Sequence, residues 1–293
     1  MRIAVAAAVG VWLLGVAAMA QQPGRQPVAV VAAENFYGDL AGQVGGPGVR
    51  VVSIMSNPDQ DPHLFEASAE TARNLADAQL VIYNGADYDP WMAKLLAAHK
   101  APARITIVVA ELVHKKAGEN PHLWYDPKTM PAAAKALAAD LGKADPAHKA
   151  DYQARLNAYL QSLEPIAAKI AEMRAKYAGT QVTATEPVAG YLADALGLKM
   201  RNARFQVAVM NNAEPRASDV AAFQNDLKGR KVKVLLYNNQ ATEDLTKRMR
   251  NLAIEAKIPV VGVSETEPPG TSYQEWMLHQ LDDLDHALAG AHP

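Results

Sequence analysis

Short apolar runs, each the length of one buried strand, recur along the chain. They alternate with stretches whose apolar residues return every three or four positions. Residues 27–33, 51–55, 80–83 and 104–109 form four such runs. The first is unbroken rather than alternating, as a strand covered on both faces of a parallel sheet requires. A helix is expected between Glu34-Asn35-Phe36-Tyr37 and the return turn Gly45-Gly46-Pro47-Gly48. Others are expected over 68–78, with Ser68 as N-cap, over 91–99 and over 128–142. Between 146 and 177 there is no strand signal: Tyr152, Leu156, Tyr159, Leu160, Leu163, Ile166, Ile170, Met173 and Tyr177 line one face of an amphipathic helix. At 1.5 Å per residue it would be roughly 45 Å long, and Pro165 must kink or interrupt it.

The strand–helix texture then resumes. Strands are expected over 181–185, 205–209, 231–237 and 259–263. Helices are expected over 188–196, closed by Gly197 past its end, over 218–227 with Ser218 as cap, and over 244–257 and 276–289. This alternation predicts an α/β fold of two lobes, each a mainly parallel sheet flanked by helices, joined by a long α-helix. The expected boundaries are 27–142 for the first lobe, 146–177 for the linking helix and 180–290 for the second lobe. A length of 293 residues suits two cores, because single ones stop growing near roughly 250–300 residues.

Ahead of the first strand stand Met1-Arg2, an apolar run over 3–17 and Ala18-Met19-Ala20, a small-x-small pattern. That is the form of a secretory signal peptide, residues 1–20, and the run is shorter than a membrane-spanning helix needs. The chain contains no cysteine. Disulfides, thiolate metal sites and a lipid anchor on an N-terminal cysteine are therefore not expected, and the mature protein is expected free in a periplasm. A net charge of −2 gives no basic field for nucleic acid.

The chemistry concentrates at strand ends. Asn120-Pro121-His122-Leu123-Trp124-Tyr125-Asp126-Pro127 is a loop stiffened by two prolines, and the residue before each is pushed out of the α region. Asp61-Pro62-His63-Leu64-Phe65-Glu66 has a similar build. Ligands of open α/β sheets collect beyond the carboxyl ends of strands. His63 follows the second expected strand and His122 the fourth; Glu186 follows the first strand of the second half and Glu265 the last. Two facing lobes would bring these four around one divalent metal. Glu267 competes with Glu265, since either could point inward. Glu34, Glu66, Glu111, Asp126 and Glu214 are candidates to accept the second N–H of a metal-bound imidazole. Trp124 and Tyr125 are expected to pack the loop onto the first lobe. The Asn84-Gly85 and Asn238-Asn239-Gln240 segments border the same edges, although turn chemistry explains them equally well. His99, His114, His148, His279, His286 and His292 read as solvated residues.

Asp61-Pro62-His63, Asn84-Gly85, the Asn120–Pro127 motif and the long middle helix together resemble the zinc/manganese-binding proteins of ABC importers, over essentially the whole mature chain. The resemblance implies two lobes holding one ion with four side chains, by motif position His63, His122, Glu186 and Glu265. It also implies a membrane permease as partner. The third position is often histidine in zinc-handling members and glutamate in manganese-handling ones. The long histidine-rich loop of many zinc members is missing, for only 111–119 separates the fourth strand from the His122 segment. Imidazole suits Zn²⁺ and carboxylate shifts preference toward Mn²⁺; two bidentate carboxylates would raise the coordination number above zinc's usual four.

The expected function is thus that of a monomeric periplasmic binding protein that captures Zn²⁺ or Mn²⁺ as cargo and catalyses no reaction. A secreted metal-dependent hydrolase would require an open coordination position and a base, for which Glu267 or Glu34 would serve. No His-Glu-x-x-His segment or nucleophile elbow accompanies them. An adhesin or a metal chaperone would carry the same site, and binding to a permease distinguishes them.

Overall fold

The structure is a computed structural model, and it describes residues 26–58, 62, 65–241 and 243–290. The expected signal segment and His63 lie outside the described residues. The first half runs β1 (Val28–Glu34), α1 (Asn35–Gly45), β2 (Val49–Met55), α2 (Ala69–Ala76), β3 (Leu80–Tyr83), α3 (Pro90–Ala98), β4 (Ile105–Val108), the single turn α4 (Val109–Leu112) and α5 (Thr129–Ala144). All its strands are parallel, in the order β2-β1-β3-β4. Every residue of β1 is buried, which accounts for its unbroken apolar run. Ser68 caps α2 as expected: it accepts from the backbone N–H of Thr71, whose hydroxyl accepts from the N–H of Ser68.

The linking segment is two helices rather than one, α6 (Lys149–Ser162) and α7 (Glu164–Tyr177). Leu163 separates them, and Pro165 falls in the first turn of α7. A proline there forfeits no intrahelical bond, so the chain breaks one turn before the ring would clash.

The second half runs β5 (Gln181–Ala184), α8 (Gly190–Ala195), β6 (Lys199–Arg201), α9 (Ala203–Met210), α10 (Ala217–Lys228), β7 (Leu235–Asn238), α11 (Asp244–Glu255), β8 (Val260–Val263) and α12 (Tyr273–Ala289). It repeats the first sheet's arrangement, with all strands parallel in the order β6-β5-β7-β8. The strand expected over 205–209 is instead the helix α9. Phe205 and Gln206 are both buried while Val207 is 46% exposed, a pattern that fits a helical turn and not a strand, in which 205 and 207 would share a face. The edge strand beside β5 is β6. Ser218 does not cap α10, which begins one residue earlier behind Arg216. Gly197 lies just beyond α8 at φ +69°, as a helix-terminating glycine should.

In each sheet the chain reverses direction between its first and third strands, β1/β3 and β5/β7. This is the switch point beyond which open α/β sheets bind ligands. One continuous apolar core, from Val28 to Leu288, includes residues of both sheets, α6, α7 and α12. The start of α12 fastens onto the first half. Gln274 and Gln43 exchange side-chain hydrogen bonds at 3.0 Å, and the Tyr273 hydroxyl donates to the carbonyl of Trp124 at 2.7 Å.

Candidate metal centre

His122 ends the extended entry into a single turn of tight helix, Leu123–Tyr125, and its side chain is fully buried. Asn120 holds it. The Asn120 amide nitrogen donates to the carbonyl of Pro187 at 2.8 Å, and its oxygen accepts from the backbone N–H of His122 at 3.1 Å. A carbonyl only accepts and an N–H only donates, so this amide has one possible orientation. Its oxygen faces Nδ1 of His122 at 2.7 Å, and Nδ1 therefore carries a proton. The loop is tied at two more points: the amide of Asn84 donates to the carbonyl of Pro121 at 2.8 Å, and the Tyr191 hydroxyl donates to the carbonyl of Asn120 at 2.7 Å.

The second ring nitrogen of His122, Nε2, lies 3.1 Å from Oε2 of Glu265, with both side chains shielded from solvent. One proton occupies that contact. Two ligand atoms about 2.05 Å from a tetrahedral zinc would stand about 3.3 Å apart, so the pair already has the spacing of neighbouring ligands. The other oxygen of Glu265 accepts from the amide nitrogen of Asn238 at 2.7 Å, and the same nitrogen donates to Oε2 of Glu186. Glu186 thus reaches the pair through Asn238. Among the described residues no three His, Asp or Glu side chains are grouped as a ready cage for an ion. Tyr88 completes the wall; burial, and then the Glu265 carboxylate, hold its phenol well above the usual range.

The competition between Glu265 and Glu267 has a geometric answer: Glu265 faces His122 and Glu267 does not. Gln240 fixes the Glu265 backbone, its side-chain oxygen accepting from the N–H of Glu265 at 2.5 Å. Asn35 grips both backbone groups of Glu267, donating to its carbonyl at 2.7 Å and accepting from its N–H at 3.0 Å. The Glu267 carboxyl is pushed up to about 9 by burial, with the Asp39 and Glu275 charges adding to the effect.

None of the carboxylates expected behind the imidazole takes that place, because the oxygen of Asn120 does. Glu66, Glu111 and Glu214 are exposed, and Asp126 accepts from the backbone of Lys128. Tyr125 packs across the halves rather than only on the first, its hydroxyl donating to the carbonyl of Ser264 at 2.9 Å. Of the histidines described, His122 alone is buried; His292 lies outside the described residues.

Glu34, at the end of β1, is fully buried beside Asp89. Burial first, then the Asp89 charge, hold the Glu34 carboxyl well above its usual range. Burial also pushes Asp89 up to about 6, against hydrogen bonds from Glu34 and from the N–H groups of Gly85 and Asn84. Burial and the Asp89 charge thus both favour the protonated form of Glu34. A raised folded-state value means that folding takes up a proton. The resulting stability is complete below the unfolded carboxylate range and is lost as pH rises through the raised folded-state range of the two groups. Glu34→Gln keeps the donor without the titration. The metal-free variant should lose stability less steeply as pH rises above the unfolded carboxylate range, the difference in slope reaching at most about 1.4 kcal/mol per pH unit. Parallel melting-temperature profiles for the two proteins would refute this account of the pair.

The chain matches the family model described as the periplasmic zinc-uptake complex component A over residues 30–287. It is 23% identical to the metal ABC transporter substrate-binding lipoprotein ScbA of Streptococcus cristatus, covering 92% of this chain and 91% of that protein. It is also 23% identical to the manganese ABC transporter substrate-binding lipoprotein PsaA of Streptococcus pneumoniae, covering 90% of each. Both are named lipoproteins, whereas this chain contains no cysteine. The periplasmic zinc-binding protein TroA of Treponema pallidum has the same fold, with a TM-score of 0.77 at 21% identity over 90% of this chain and 99% of that one.

Proposed function

The chain belongs to the periplasmic zinc-uptake component A family, whose members are substrate-binding proteins and not enzymes, and from that premise we propose that it is the periplasmic substrate-binding component of an ABC importer. Its cargo is one divalent transition metal, Zn²⁺ or Mn²⁺, taken up between two lobes and passed to a membrane permease. The lobes are residues 27–142 and 180–290, with α6 and α7 as the tie. The proposed ligands are His122 through Nε2, Glu186, Glu265 and, by its place in the motif, His63. No described helix is long and apolar enough to cross a membrane.

The observation that carries this reading is the buried contact between His122 and Glu265. A histidine sealed from solvent, with one nitrogen locked on an amide oxygen and the other against a carboxylate, is built to exchange one proton for one cation. The shared core and the grip of α12 on the first half support release by a small rocking of the lobes rather than a wide opening.

Titration of the metal-free protein with Zn²⁺ and with Mn²⁺, followed by calorimetry and by melting temperature, tests the proposal. Saturation at one ion per chain with a raised melting temperature is expected, and a protein indifferent to both ions would overturn it. Each ion should displace about one proton from the His122–Glu265 contact. The apparent affinity should then rise about tenfold per pH unit while that proton is held. Proton release is counted by repeating the calorimetry in buffers of different ionisation enthalpy, and a count of zero would contradict the exchange.

A further inference from the structure

Asn238 ends β7 at the switch point of the second sheet, 1% exposed. Its orientation is forced, because the backbone N–H of Gln240 donates to its side-chain oxygen at 3.0 Å, leaving Nδ2 to face the other way. Its own backbone N–H donates to the hydroxyl of Thr185 at 3.0 Å, which ties it to the residue before Glu186. An amide nitrogen has two hydrogens. One goes to Oε1 of Glu265 at 2.7 Å and the other to Oε2 of Glu186. The whole donor capacity of a buried, immobile side chain is thus spent on one oxygen of each carboxylate.

We infer that Asn238 is a positioning residue that sets the cargo's coordination number by leaving each of Glu186 and Glu265 one oxygen with which to meet the ion. The inference rests on the metal-site reading above. Glu186 Oε1, Glu265 Oε2 and His122 Nε2 are then three single-atom ligands, and they leave one place in a tetrahedron. That is the geometry Zn²⁺ takes. An octahedral or larger shell supplied by the protein alone, of the kind oxygen-loving ions adopt, would need the second carboxylate oxygens, and those face the Asn238 amide. Charge points the same way. Two carboxylates and a neutral amide balance a dication, so the loaded site is neutral where a third carboxylate would leave it anionic. Asn238 therefore offsets the manganese-like character that the glutamate at position 186 would otherwise give, and the site is tuned to Zn²⁺.

X-ray absorption on the zinc-loaded native chain tests this without any variant. Four ligand atoms near 2.0 Å are expected, and a shell of five or six with a bidentate carboxylate would overturn the inference. The zinc-to-manganese ratio of dissociation constants is then compared among the native protein, Asn238→Ala and Asn238→Asp. Both variants release the carboxylate oxygens, and Asn238→Asp adds a third carboxylate. Relative preference for Zn²⁺ should fall about tenfold in Asn238→Ala and further in Asn238→Asp, with the zinc shell expanding beyond four. A variant that folds by circular dichroism yet keeps the native ratio within twofold would overturn the role of Asn238 while leaving the metal site standing. Loss of binding to both ions by the native protein would overturn both readings. If neither variant folds, the native shell decides alone.

Discussion

Replacing His122 with alanine is expected to weaken binding of Zn²⁺ by about a hundredfold to a thousandfold. Structural zinc sites bind with about 10–16 kcal/mol spread over four ligands, so one ligand contributes about 2.5–4 kcal/mol, and each 1.4 kcal/mol is a factor of ten. The same substitution acts on the metal-free protein. Glu265 loses its imidazole partner and remains without solvent contact, and breaking a buried charged pair from one side costs about 3–5 kcal/mol. The two effects separate by measurement. Competition with a chromogenic chelator reports the ion affinity, and denaturant unfolding without metal reports the cost of leaving the carboxylate without its imidazole. Double substitution to His122→Ala and Glu265→Gln should recover part of the lost stability, since the glutamine carries no charge, but none of the lost affinity. An affinity within threefold of the native value would remove His122 from the site.

Sequence pattern conveyed the layers of this fold because both sheets are parallel and their inner strands are buried, which forces apolar runs into β1, β3 and β7. It failed where a segment does not have to satisfy that condition. β6 is an edge strand, Lys199-Met200-Arg201, with too little apolar character to be seen. The segment 205–209 alternates like a strand but is a helix, because Phe205 must reach Phe223, with the rings 4.7 Å apart edge to face. In the middle segment the 3.6-residue period continues through the break, so only Pro165 signalled that one helix would be two.

The candidate site was legible to the extent that strand ends determine it. His122, Glu186 and Glu265 follow β4, β5 and β8, and the carboxyl ends of the two sheets bring them to one place. The choice between Glu265 and Glu267 was not legible. Two residues apart in an extended loop, both can face the same side, and what turns Glu267 away is Asn35 from the other half of the chain. The amides were invisible for a related reason. Asn120 and Asn238 have the composition of turn residues, and their roles come from the direction in which each amide points. That direction is fixed by single backbone groups, Pro187 and Gln240, which no local pattern places there.

Trp124 is the residue on which the His122 loop rests, and Trp124→Ala should be the most destabilising single change in the first half. Its ring is fully buried and lies 4.6 Å from Phe36, 4.9 Å from Tyr88 and 5.4 Å from His122, centroid to centroid. Truncating a core tryptophan costs about 3–5 kcal/mol, a large share of the roughly 5–15 kcal/mol by which a domain is stable. The loss also opens a void against the His122 imidazole, so affinity for the ion should fall even where the variant is folded. Trp124→Phe discriminates between packing and polarity. No group among the described residues bonds the indole N–H, so phenylalanine forfeits only part of the ring contact. It should cost less than half as much as alanine and leave ion affinity nearly native. Denaturant unfolding of the metal-free proteins measures both. A cost under 2 kcal/mol for Trp124→Ala, or equal costs for the two variants, would mean that the aromatic cluster does not hold the loop, and that the amide contacts of Asn84 and Asn120 position His122 without it.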